Sequence, residues 1–141
     1  MRKSVADLSV VIPTHNRSSW LVHAIESVLA QSLPAREVIV VDDGSTDDTD
    51  EVVARYSGLT YLRREQGGPS AARNAGAAIS TGRWLAFLDS DDRWLPAKIE
   101  RQLQWLEAHP GVEAVYTDEI WIRKGVRVNQ CKYHAKRGGY I

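Results

Sequence analysis

The chain has 141 residues, with 18 basic and 18 acidic side chains that cancel to a formal net charge of zero. That length fits about one domain, the 43% apolar content supplies a core, and the cancelled charge excludes a general polyanion or nucleic-acid binder. A single cysteine, Cys131, excludes an internal disulfide and fits a reducing compartment. The basic start Met1-Arg2-Lys3 leads into no long uncharged apolar run, so neither a signal peptide nor a transmembrane helix is expected. A cytoplasmic protein is the expectation, with attachment to the inner face of a membrane left open.

Short β-rich runs alternate with helical patterns along the chain. Leu8 to Ile12 reads as a strand stopped by Pro13. Ser18 or Ser19 is placed to cap a helix whose Leu21, Ile25, Val28 and Leu29 fall on one face. A second strand is expected over 37–42, followed by a helix after Ser45-Thr46-Asp47 with Asp47, Asp48, Asp50 and Glu51 at its positive end. Thr60 to Leu62 gives a third strand. Pro69 then opens a small-sided helix through Ile79, with Gly82 just past its end. Such a helix can lie very close to a sheet or to a ligand. A fourth strand is expected over 83–89, a fourth helix from Pro96 with Ile99, Leu103 and Leu106 inward, and a fifth strand from Val112 to Thr117. Ile120 to Ile122 and Val126 to Val128 around Lys124-Gly125 suggest a hairpin, and a basic tail follows with Lys132, Lys136 and Arg137. The tryptophans Trp20, Trp84, Trp105 and Trp121 are expected to pack in or against the core, and Trp94 to wedge the fourth helix.

This alternation predicts a three-layer α/β/α fold with a mainly parallel sheet and right-handed crossovers. Ligands of such folds bind outside the carboxyl ends of the strands, where strand order reverses. Three polar segments directly follow strands: Pro13-Thr14-His15-Asn16, Asp42-Asp43-Gly44-Ser45 and Asp89-Ser90-Asp91-Asp92. Parallel pairing would bring all three to one rim. Crowded carboxylates repel and raise each other's pKa, which a hard divalent cation such as Mg²⁺ or Mn²⁺ relieves. Neither G-x-G-x-x-G nor G-x-x-x-x-G-K-[ST] is present, so a phosphorylated ligand here would rest on a metal and a few cations. A D-x-D taken alone is weak; its place after the apolar run Trp84 to Leu88 strengthens it. Its plain structural alternative is a solvated loop capping the next helix.

Four motifs in order carry a family resemblance: Val10-Val11-Ile12-Pro13-Thr14-His15-Asn16-Arg17, Val40-Val41-Asp42-Asp43-Gly44-Ser45-Thr46-Asp47, Gly68-Pro69-Ser70-Ala71-Ala72-Arg73-Asn74-Ala75-Gly76 and Phe87-Leu88-Asp89-Ser90-Asp91-Asp92. Together they resemble a family 2 glycosyltransferase of the GT-A fold (the nucleotide-diphospho-sugar transferase type) over residues 8–118. The resemblance implies an inverting enzyme that moves a sugar from a nucleotide-diphosphate donor to an acceptor hydroxyl with Mg²⁺ or Mn²⁺. It implies that Pro13, Thr14, His15 and Asn16 border base and ribose, and that Asp43, beside Asp42, meets the base, commonly uracil, hence a UDP-sugar. Arg73 would lie near base or diphosphate, although a purely structural ion pair with Glu65 or an acidic strand end is its alternative. Asp89 and Asp91 would form the D-x-D, with Asp91 the metal ligand and Asp92 its helper. His15 stands where Tyr or Phe is usual, and the smaller ring stacks less surface on a base. It also admits a plain loop role.

An inverting transfer needs a general base, which the family carries well beyond the fifth strand; Asp118-Glu119 comes too early. The catalytic base therefore remains unassigned. The expectation is a single donor-binding domain over 1–141 (core 8–118, then hairpin and tail), the donor half of a longer enzyme. An unpaired sheet edge would favour self-association. A nucleotide-sugar-binding module without turnover is the alternative. A phosphoacceptor switch is set aside, because the third strand ends in Arg63-Arg64 where that chemistry wants a lone Asp.

Overall fold

The computed structural model describes residues 4–128. The chain divides into two compact units, residues 1–108 and residues 109–141. Cys131 and the basic residues Lys132, Lys136 and Arg137 lie outside the described residues.

The first unit runs β1 (Ala6–Thr14), α1 (Ser18–Leu29), β2 (Ala35–Asp43), α2 (Thr49–Ala54), β3 (Thr60–Arg64), α3 (Pro69–Ile79), β4 (Trp84–Phe87) and α4 (Lys98–Ala108). Its four strands are all parallel, in the order β3-β2-β1-β4. Strands β1 and β2 are near-continuous buried runs, as expected of parallel strands covered on both faces. Alternation divides them. Val10, Ile12, Val38 and Val40 face Leu21, Ala24, Ile25 and Val28 of α1, Val52 and Val53 of α2, and Ile99 of α4. Val11, Ile39 and Val41 face α3 through Ala72 and Ala75. The three-layer α/β/α expectation holds, and each fully buried Val or Ile contributes about 1.5–3 kcal/mol of burial.

Helix α3 lies very close to the sheet because its inward residues are small. A Cβ on Gly76 would collide with Val11 Cγ1 and stand 3.1 Å from Val41 Cγ2. Gly82 serves a similar purpose: it is no helix cap, since α3 ends at Ile79 with Ser80 as its C-cap, and a Cβ there would come within 2.6 Å of the Ser9 backbone nitrogen.

Several local expectations change. Pro13 does not stop β1, which continues to Thr14. Val11 turns its backbone toward β4, where its carbonyl accepts Leu88 N–H at 3.0 Å. Pro13, two residues on, points the same way, past the β4 ladder that ends at Val11↔Phe87. Its missing N–H is therefore not needed. The α1 N-cap is Arg17, and neither Ser18 nor Ser19 caps by side chain; Asp47 Oδ2 accepts Ser18 N–H at 3.1 Å instead. Leu29 is 50% and Trp20 58% exposed, both off the inward stripe of Leu21, Ala24, Ile25 and Val28. Trp105 is also exposed, whereas Trp84 packs against the core, as does Trp94, with Lys98 over its ring.

In the second unit the hairpin forms, β5 (Trp121–Arg123) pairing antiparallel with β6 (Val126–Val128). Val112 to Thr117 is not a strand. A β-rich run becomes a strand only where a neighbour completes its ladder. No described helix is long and apolar enough to cross a membrane.

Candidate functional site

The chain passes from β1 to β2 to β3 on one side and then crosses back, placing β4 on the other side of β1. This reversal opens a crevice at the carboxyl edge beside β1. A cleft of about 390 Å³ lies there, lined by Pro13, Thr14, His15 and Arg17 after β1, Asp43 at the end of β2, Gln66, Gly68, Pro69, Ala72 and Arg73 around the start of α3, and Asp89, Ser90 and Asp91 after β4. Asp43 and Asp91, 48 positions apart in the sequence, thus share one cavity.

Asp43 is 4% exposed. Its Oδ1 accepts Gly67 N–H at 3.0 Å and the Arg64 guanidinium at 3.2 Å, while Oδ2 accepts Gly68 N–H at 2.7 Å. Gly68 has φ +93°, a left-handed conformation open to glycine. It turns its N–H onto Asp43 while its carbonyl accepts Ala72 N–H at 3.0 Å, starting α3. Asp42 faces the other way. Wholly buried, it accepts Ser45 N–H at 2.8 Å and Tyr61 O–H at 2.5 Å. Burial, and then that hydrogen bond to the Asp42 carboxylate, push the Tyr61 phenol well above its usual range. Asp42 does not line the cleft; it locks the turn after β2.

His15 donates through Nδ1 to the Asp43 backbone carbonyl at 2.9 Å. A carbonyl only accepts, so this bond puts the proton on Nδ1. Nε2 then accepts from the Gln66 and Asn16 amides, each at 3.3 Å. Asn16, at φ +50°, is a clasp beside the cleft: its Oδ1 accepts Thr46 N–H at 2.7 Å and its N–H donates to Ser45 Oγ at 2.9 Å. Asp47 accepts Ser18 and Thr49 N–H and Thr49 Oγ1–H. Burial works against its charge, yet these bonds outweigh it and hold its pKa below the usual value. The acidic stretch at α2 is therefore capping and clasping, with Asp50 and Glu51 in the first turn.

Both D-x-D carboxylates are ion-paired to arginines. Arg73 Nη2 donates to Asp89 Oδ1 at 2.6 Å, so Arg73 pairs with the acidic strand end and not with Glu65. Arg17 donates through Nη1 to Asp91 Oδ2. Asp89 and Asp91 side chains stay 49% and 46% exposed, open to the cleft. Asp92 is exposed outside the lining and donates its N–H to the Asp89 carbonyl at 3.0 Å. Thr14 is 4% exposed, and its hydroxyl finds no hydrogen-bond partner among the described residues.

Of the residues singled out from sequence, the cleft gathers Pro13, Thr14, His15, Asp43, Arg73, Asp89 and Asp91, and leaves Asn16, Asp42 and Asp92 outside its lining. Arg17, Gln66, Gly68, Pro69, Ala72 and Ser90 line it without having been singled out as site residues. Arg17 had a signal, directly following Pro13 to Asn16; Gln66 had only its position before the glycine pair.

The same architecture recurs in known proteins. The chain is 39% identical over 105 residues to a putative teichuronic acid biosynthesis glycosyltransferase, TuaG, of Bacillus subtilis, covering 70% of this chain and 41% of that one. Longer relatives extend further, and the chain spans 17% or less of three of them. Among solved structures, S. aureus TarS 1–349 in complex with UDP superposes with a TM-score of 0.68 at 30% identity, over 72% of this chain and 32% of that one. The mannosyltransferase PcManGT of Pyrobaculum calidifontis, in complex with GDP-Man and Mn²⁺, gives 0.63 at 26% identity, over 72% and 32%. The family model of Glycosyl transferase family 2 matches residues 9–126, and the chain belongs to that family.

Proposed function

We propose that this chain is the donor-binding half of an inverting glycosyltransferase that moves a sugar from a nucleotide-diphosphate donor, a UDP-sugar, to an acceptor hydroxyl. One observation carries the reading: Asp43, Arg73, Asp89 and Asp91 converge on a single cleft with Pro13, Thr14 and His15. Its size suits a small-molecule ligand. Pro13 and His15 form one wall for a base. The Thr14 hydroxyl is available to a ribose or base polar group, and Arg73, released from Asp89, is a bidentate donor for phosphate.

A divalent ion, Mg²⁺ or Mn²⁺, suits the donor set. Asp89 and Asp91 are hard oxygen ligands, and no group of three or more His, Cys, Asp or Glu that could hold an ion occurs among the described residues. Such a pair would suit a Mg²⁺-type arrangement, in which one or two carboxylates share the ion with substrate phosphates and water. Asp91 would hold it, with Asp92 near enough in sequence to assist. When bound, the ion supplies charge stabilisation to the departing diphosphate. Asp43 and the Gly67-Gly68 turn would form the base-proximal wall.

The likeness to TuaG suggests an acceptor in cell-wall or polysaccharide synthesis, and a cytoplasmic location, free or at the inner face of a membrane, is part of the same proposal. Self-association through the sheet edge is also part of the proposal: among the described residues β4 is an edge strand, and its Leu85 and Phe87 are 39% and 44% exposed. A monomer by light scattering at high concentration would count against it. The donor reading is tested by calorimetry with UDP, GDP and UDP-sugars, with and without Mn²⁺. Saturable Mn²⁺-dependent UDP binding supports it, and no nucleotide binding in any combination overturns it. Binding without turnover would favour a nucleotide-sugar-binding module.

A further inference from the structure

Arg17 is held for a purpose that capping α1 does not explain. Its carbonyl accepts Trp20 and Leu21 N–H at 3.0 and 2.9 Å, which fixes its backbone at the start of α1. The residue before it is clasped to the loop after β2 by the Asn16 bonds to Ser45 and Thr46. The residue after it is tied to Asp47. From this anchored position the side chain lines the cleft and places its guanidinium on Asp91, 74 residues away. Arg73 does the same to Asp89 from α3. Each carboxylate of the D-x-D thus carries its own internal cation.

We propose that Arg17 is a positioning residue that acts as a stand-in counter-ion for Asp91, so that a divalent cation binds there only in exchange for the guanidinium, and the released guanidinium is taken up by the diphosphate. The proposal rests on the donor-binding reading above. Two consequences follow from charge. A bare divalent ion must displace Arg17 from Asp91 and leave a second cation close by, so it binds weakly. A cation arriving with a diphosphate brings the acceptors that Arg17 then requires, so cation and nucleotide bind cooperatively through a shared coupling free energy. Both partners are about half exposed (50% and 46%), which keeps the exchange cheap and reversible.

The test is Mn²⁺ affinity by electron paramagnetic resonance, without and with UDP, in the wild type, Arg17→Gln and Arg17→Lys. Arg17→Gln is expected to tighten Mn²⁺ binding about fivefold without nucleotide, the equivalent of one exposed ion pair, and to lower the enhancement by UDP by at least that factor. Arg17→Lys keeps the charge and is expected to restore wild-type coupling, which a merely structural arginine would not require. Unchanged or weaker nucleotide-free Mn²⁺ binding in folded Arg17→Gln overturns the proposal. The nucleotide-free comparison is readable even if the wild type binds no UDP. Failure of the donor reading and failure of the counter-ion role are therefore separate results.

Discussion

Asp43 Oδ2 accepts the Gly68 N–H at 2.7 Å, and this contact ties the end of β2 to the N-cap of α3. With Gly67 N–H and Arg64 on the other oxygen, the carboxylate is the keystone of one cleft wall. Asp43→Asn would turn one acceptor oxygen into a donor amide facing donors. A buried N–H left unsatisfied costs about 1–3 kcal/mol. Urea denaturation should show a loss in that range, and UDP affinity should fall with it. An unchanged midpoint would mean that the turn before α3 is held by something else.

Gly76→Ala sets two effects against each other. Alanine favours the helix by up to about 1 kcal/mol over glycine. The new Cβ, however, would collide with Val11 Cγ1 and crowd Val41 Cγ2 at 3.1 Å, and overpacking a tight core costs about 1–3 kcal/mol. Both valines sit in the central strands and are 0% exposed, so neither side yields freely. The variant should unfold at lower urea than the wild type. Greater stability would show that α3 is free to move off the sheet.

What was legible in the sequence was what period and chain order encode. The continuous apolar run Val38 to Val41, helical spacing in Leu21, Ile25 and Val28, and the small residues of α3 each predict their own packing, because burial there depends on neighbours close in sequence. Strand-end acids were legible as a group, since parallel pairing brings every carboxyl end to one rim. The division of labour between Asp42 and Asp43 was not. Adjacent residues in a strand point to opposite faces, and which one meets the cleft depends on the packing of Tyr61 and α3. The same holds for Arg17, whose role depends on a partner in the loop after β4. Pro13 was misread as a stop because its tolerance rests on where β4 ends.

Glu37 gives a pH signature at the opposite edge of the sheet from the cleft. Its Oε1 accepts Ser9 Oγ–H at 2.6 Å and Thr81 N–H at 2.6 Å. The Ser9 bond first, and the Thr81 backbone bond next, hold its pKa below the ordinary glutamate value of 4.5. A depressed folded pKa means that the unfolded chain binds the proton more readily. The stabilisation is therefore complete above about pH 4.5 and is lost as pH falls through the folded value. Glu37→Gln should cost about 1 kcal/mol at pH 7, and the gap to the wild type should close in acid. A gap of constant size down to pH 3 would argue that the charge contributes nothing there.

Asp91→Ala separates the site from the fold. The side chain is 46% exposed and its one described partner is the half-exposed Arg17, so removing it costs about 0–1 kcal/mol and the melting curve should barely move. Mn²⁺-dependent UDP binding should fall by more than about tenfold, because the variant lacks the carboxylate placed to hold the cation against the diphosphate. Asp92→Ala, which leaves both arginine pairs standing, should weaken binding less. Arg17→Gln removes the same ion pair as Asp91→Ala and should match it in stability, yet the two should move nucleotide-free Mn²⁺ affinity in opposite directions. A ligand and its counter-ion differ in that respect, and no account in which the pair merely braces the rim produces opposite signs. Equal UDP affinity in Asp91→Ala and wild type by calorimetry with Mn²⁺ would remove Asp91 from the site.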